Sequence, residues 1–141
     1  MGRRINLQII RGDKDMKNNW KYVKPLEDVA SVRVFLIKNG IKIPENLIEI
    51  LEKNNGGRPS EKSIITETQR EYVFKSLLSY NNDDLENIYS LYSDSFKDRH
   101  LYPLGSDAAG NIICFDYSVN KYVLLNHETN EPEIITRMSW I

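Results

Sequence analysis

The sequence predicts an α+β domain, built as an antiparallel-rich, bent sheet with helices packed on one face. Two apolar helical stripes come first, a series of alternating strands follows, and Gly, Pro and Asn clusters separate the pieces. Helices grouped ahead of consecutive antiparallel strands argue against an interleaved parallel sheet.

A chain of 141 residues fits one domain. At this size folding buries roughly two thirds of the unfolded surface, so neither a metal nor a disulfide is required. No run of about 18 apolar residues predicts a membrane span. The start, MGRRINLQIIRGDKD, has no long apolar core and no small-residue cleavage site, so it does not read as a secretory signal. Cys114 is the single cysteine and cannot form an internal disulfide. Together these features lead to an expected cytoplasmic location. Residues 1–24 carry seven basic residues against two acidic ones, a net of +5, whereas the remainder carries 12 against 18, a net of −6. The expected organisation is a basic N-terminal arm or linker over residues 1–18, or a vector-derived remnant, ahead of a domain over 19–141.

Trp20 to Pro25 reads as a short amphipathic approach. Leu26 to Asn39 reads as a helix with Val29, Val32, Phe35 and Leu36 on one stripe, closed by Gly40 in a left-handed cap. Pro44 suits the first position of a second helix, with Glu45 favoured by the helix dipole and Leu47, Ile48, Ile50 and Leu51 facing inward. Asn54-Asn55-Gly56-Gly57 stops that helix, and Pro59 prevents its continuation. Ser63 to Thr68 and Glu71 to Leu78 are strand candidates, the second open to a helical reading. Asn82 or Asp83 is expected to cap a short helix with Leu85, Ile88, Tyr89 and Tyr92 on one face. Asn111 to Tyr117 alternates, with Ile113, Phe115 and Tyr117 on one side and Ile112, Cys114 and Asp116 on the other. After the turn Ser118-Val119-Asn120, Lys121 to His127 returns with Val123 and Leu125 opposite Tyr122 and Leu124. A polar turn, Glu128 to Pro132, leads to a last strand around Ile134-Ile135-Thr136.

Catalytic sets are absent from this pattern. His100 and His127 have no HExxH-like spacing, and His100, Asp107, Asp116 and His127 do not form a compact ligand set. Cys114 lies mid-strand among Ile112, Ile113 and Phe115, where cysteine behaves as a small hydrophobe. Gly56-Gly57-Arg58-Pro59-Ser60 follows a helix, whereas a phosphate loop opens one. Asp107 and Gly110 read as turn residues. The aromatic residues Tyr72, Tyr80, Tyr89, Tyr92, Tyr102, Tyr117 and Tyr122, with Trp20 and Trp140, lie among acids and not among the basic residues that a nucleic-acid groove needs.

Three landmarks stand in order: Trp20, then GIKIPENLIEILEKNNGGRP (Gly40 to Pro59), then LYPLGSDAAGNIICFDY (Leu101 to Tyr117). This resembles the SUKH superfamily, which includes fungal Smi/Knr-type cell-wall synthesis regulators and many bacterial immunity proteins. The matching steps are Ile43-Pro44, Asn55-Gly56-Gly57, Leu104-Gly105 with Asp107, Gly110-Asn111, and Cys114 to Asp116. The likeness covers about residues 20–136. Such domains usually end in an amphipathic helix, and here only Arg137-Met-Ser-Trp-Ile141 follows the last strand, so that helix is expected to be missing or reduced.

The resemblance implies a non-catalytic protein-binding domain without cofactors. Its bacterial members neutralise a cognate toxin, often a nuclease or deaminase, by binding it. An acidic body suits a basic partner of this kind, bound by a monomer or weak homodimer, with no direct nucleic-acid or membrane contact. Asp83, Asp84, Glu86, Asp94, Asp98, Asp107 and Asp116 form the pool from which interface charges are expected. The alternative is a regulatory adaptor of the cell-wall synthesis or signalling type. A third class, an enzyme or metal-binding domain, has little histidine and cysteine chemistry to support it.

Overall fold

The computed structural model describes residues 19–141; the basic arm at 1–18 lies outside the described residues. The fold is α+β, as the sequence predicts. Trp20–Lys21 forms β1, which pairs with β2 (Arg58–Pro59). Between them lie α1 (Ser31–Asn39) and α2 (Glu45–Lys53). The main sheet follows: β3 (Ser63–Thr66), β4 (Glu71–Leu77), β5 (Leu101–Asp107), β6 (Ile112–Asp116), β7 (Lys121–Leu125) and β8 (Pro132–Met138). An excursion between β4 and β5 carries α3 (Ile88–Leu91) and α4 (Asp94–Asp98).

The bent sheet goes further than expected. Each strand pairs antiparallel with the next, and β3 also pairs with β8, so the sheet closes into a six-stranded barrel without free edges. Closure needs local bends, and the ladders shift register at Ile65/Thr66, Phe74/Ser76 and Pro103/Gly105. Pro103 is tolerated inside β5 because β4 reaches only to Leu77, opposite Gly105, leaving Pro103 with a strand on one side. Gly105 is required by close approach. A Cβ there would lie 2.3 Å from the Ser76 carbonyl oxygen and 2.8 Å from Cζ of Phe74.

The alternation read from β6 and β7 holds. Ile113, Phe115 and Leu124 join the main core with Val32, Phe35, Leu47 and Leu51 of the helices and with Ile64, Phe74 and Tyr102 of the barrel. Cys114, Val123 and Leu125 face the other way, into a smaller cluster with Leu101 that Phe96 of α4 packs against. After β8 the chain turns and buries Trp140, whose ring meets Phe74 at 5.0 Å and Trp20 at 5.7 Å between centroids.

Several local expectations need correction. The first helix starts at Ser31 and not at Leu26, because Asp28 organises a turn there, accepting a bond from the Ala30 amide. Val29 is consequently 80 % exposed and does not join the apolar stripe. Pro44 has extended dihedrals and sits at the cap position, one residue before the helix. The third helix is capped by Asn87, not by Asn82 or Asp83, and Leu85 lies outside it, 93 % exposed. Glu71–Leu77 is strand, which settles the open reading. The helix α4 and the separate strand β5 had no strong periodic signal.

Replacing Gly105 with Ala is expected to lower stability by about 1–3 kcal/mol, since backbone must move to admit the methyl group. Urea denaturation measures this; a midpoint unchanged from the parent would contradict the close approach.

Candidate protein-binding surface

The excursion Leu78 to His100 is the largest departure from the barrel, and a buried amide network fixes it. Asn55, one residue past the α2 cap, is buried. Its Nδ2 donates to the Lys24 carbonyl at 2.8 Å and to Ser79 Oγ at 3.0 Å, and its Oδ1 accepts from the Tyr80 amide at 2.7 Å. Ser79 Oγ also accepts from the Asn81 amide at 3.0 Å and donates to Asp84 at 2.5 Å. A hydroxyl has one donor and two acceptor sites, so this one is fully used.

Asn81 repeats the pattern. Its Nδ2 donates to the Pro25 carbonyl at 3.0 Å and to Asp84 at 3.3 Å, while its Oδ1 accepts from the Glu27 amide at 2.9 Å. Asn87 donates to the Asp84 carbonyl at 2.9 Å and accepts from the Ser90 amide at 2.8 Å, starting α3. Three asparagines and a serine thus join the entry to α1, the end of α2 and the excursion. Aromatic packing adds a second tie. Phe35 of α1 contacts Tyr80, Tyr89, Tyr92 and Tyr102, with ring centroids 5.2 to 6.2 Å apart. The hydroxyls of Tyr80 and Tyr102 bond to each other inside this cluster, and burial pushes both phenols to higher pKa.

On this frame residues 82–98 carry Asp83, Asp84, Glu86, Asp94 and Asp98 against Lys97 alone, a net of −4. The predicted acids fall into distinct roles. Asp83, Asp94 and Asp98 are exposed, with no ion-pair partner among the described residues. Glu86 pairs with Lys75 at 2.8 Å. The carboxylate of Asp84 is held by Ser79 and Asn81. Asp116 is half-buried and shapes the next turn, accepting from the Ser118 amide at 2.9 Å and its hydroxyl at 2.6 Å. Asp107 is corrected outright: it is 2 % exposed, and its carboxylate accepts from the amides of Ala109 and Asn111 and from the Asn111 side chain, so it presents no charge to a partner.

The same geometry separates the histidines. His100 and Asp116 lie at one end of the β5–β6 hairpin, and Asp107 and His127 at the other, beyond six strand steps or roughly 20 Å. Among the described residues no group of three or more His, Cys, Asp or Glu side chains is placed to hold a metal ion. Burial pushes the Cys114 thiol well above its usual range, which suppresses the reactive thiolate. No helix among the described residues is long and apolar enough to cross a membrane.

A small α+β barrel with a rigidly mounted, acidic excursion is a domain suited to protein recognition. Comparison with known proteins supplies its family. The profile of the SMI1-KNR4 cell-wall family, a SUKH group, matches residues 37–138, and the chain belongs to that family. A similar curated protein is the SPbeta prophage-derived uncharacterized protein YokK of Bacillus subtilis (strain 168), 25 % identical over 114 residues. That match covers 67 % of this chain and 59 % of YokK. No solved structure matches the chain.

Sequence reasoning treated Asn55 as a helix stop and missed the network that it centres. The available signal was a second asparagine after the helix, ahead of two glycines, where one residue suffices to end a helix.

Substituting Asn55 with Ala leaves the Tyr80 amide, the Lys24 carbonyl and Ser79 short of partners in a buried site. The expected loss is at least about 2 kcal/mol. Asn54→Ala, which removes a single bond to the Ile50 carbonyl, should cost less than about 1 kcal/mol. Equal losses in denaturant titrations of the two variants would contradict the special place of Asn55.

Proposed function

We propose that this chain is a non-catalytic immunity protein that binds a basic toxin through the acidic excursion and blocks it by occlusion. The observation that carries this reading is the excursion itself: a net of −4 over residues 82–98, with Asp83, Asp94 and Asp98 exposed and without an ion-pair partner among the described residues, on a frame fixed by buried hydrogen bonds. Preorganised charge of one sign raises the encounter rate with an oppositely charged surface and loses little entropy on binding. A nuclease- or deaminase-type toxin has the positive groove that such a surface complements. A prophage-derived relative also suits contests between bacteria better than wall synthesis. On this reading the protein acts in the cytoplasm, and residues 1–18 form a basic arm outside the binding domain.

The second reading is a regulatory adaptor, favoured by the cell-wall description of the matching family. Both readings use a protein partner, and a toxin encoded beside this gene separates them. Co-expression of that neighbour with this chain should restore growth, whereas an adaptor would not.

Reversing Asp83, Asp94 and Asp98 together to Lys should slow association about ten-fold or more at low salt and flatten its salt dependence, with dissociation little changed. Stopped-flow association with the purified partner at several ionic strengths measures this. Identical rates for parent and variant across salt would show that the acids do not face the partner.

A further inference from the structure

A cleft of opposite charge lies beside the excursion. It encloses about 450 Å³ and is lined by Tyr22 and Lys24 after β1, Arg58 of β2, Lys75 of β4, and Leu85 and Glu86 of the excursion. Three cations meet one acid there.

Each cation is held differently. Lys24 is fixed by its backbone, which donates to the Asn55 carbonyl at 2.8 Å and accepts from the Asn55 side chain. Its stem lies over Gly56, where an added Cβ would sit 3.4 Å from Lys24 Cδ. The Arg58 guanidinium stands 5.5 Å from the centroid of the Tyr22 ring, a cation–π placement that orients its planar fork. Tyr22 is exposed and adopts a left-handed backbone (φ 58). Lys75 is occupied by Glu86. Lys24 and Arg58 have no carboxylate within ion-pair distance among the described residues. Leu85, 93 % exposed, forms the rim.

We propose that this cleft binds an acidic peptide segment of a partner protein. One carboxylate enters against Arg58 and Lys24, and a neighbouring apolar side chain rests on Leu85 and Tyr22. The guanidinium fork matches a carboxylate in two parallel hydrogen bonds. A polyphosphate strand fits poorly, because Glu86 lines the same cleft and repels further phosphates. A single carboxylate on a peptide meets no such barrier, and the exposed leucine and tyrosine provide the apolar contact that a nucleic-acid backbone does not use. The proposal does not depend on the toxin-binding reading, since it uses cations outside the acidic segment.

Amide-resolved NMR titration of the full chain at low salt, with a capped leucine–glutamate–leucine peptide, tests it. Amides of Tyr22, Gly56, Arg58 and Leu85 should shift saturably. A glutamine-for-glutamate peptide should bind about five-fold more weakly or worse, and Arg58→Gln and Lys24→Gln should each weaken the glutamate peptide about five-fold while the spectrum elsewhere stays unchanged. Absence of shifts at those amides, or equal binding of the glutamine peptide, would overturn the proposal. So would equal saturation by inorganic phosphate or a thymidine oligonucleotide, which would make the cleft a general anion or nucleic-acid site.

Discussion

The side-chain amide of Asn55 is the interaction on which the placement of the acidic excursion depends. It donates twice and accepts once, and so joins two chain segments distant in sequence: the approach to α1 at Lys24, and the start of the excursion at Ser79 and Tyr80. Aspartate lacks the donors, and glutamine is one methylene too long for a site that is 1 % exposed. Through Ser79 the constraint passes to Asp84 and Asn81, and from Asn81 to the residues ahead of α1. A network of this kind stabilises only when every member is satisfied. The three buried asparagines meet that condition.

Barrel closure supplies the platform. Consecutive antiparallel strands leave two edges, and here β3 and β8 remove both by pairing. The bends that permit it fall at Gly105 and at the offset in β4, where the two strands approach too closely for any side chain at Gly105. The excursion leaves the barrel just beyond this point, after Leu77, and returns at Leu101. Its base therefore adjoins the close contact at Gly105. Charge is laid out around that base with opposite signs on adjoining surfaces, and the Lys75–Glu86 pair marks the seam between the acidic excursion and the basic cleft.

Legibility in the sequence followed the range of the interactions. The β6–β7 hairpin was readable because alternation and turn residues are local signals, and both faces emerged as expected. The ends of α1 and α2 were readable from Gly40 and the Asn-Gly-Gly stop. Val29 and Leu85 were misplaced because helical spacing was extended over residues whose backbone is set by side-chain turns at Asp28 and Asn87. Closure of the barrel, the burial of Asp107 and the network at Asn55 rest on contacts distant in sequence, which periodicity does not encode. Composition could not tell the exposed Asp83, Asp94 and Asp98 from Asp84, which is tied into the interior, or from Asp107, which is buried in a turn.

The central claim is that Asn55 fixes the excursion against the segment leading to α1, and that the strand pairing of the barrel does not depend on it. Native-state hydrogen exchange on Asn55→Ala compares them directly, amide by amide. Protection should fall at Tyr80, Ile88 and Ser90, whose amides bond within the network and the excursion, while the amides of β6 keep the protection that the barrel confers. Uniform loss across both regions, or unchanged protection at Tyr80 and Ile88, would contradict it.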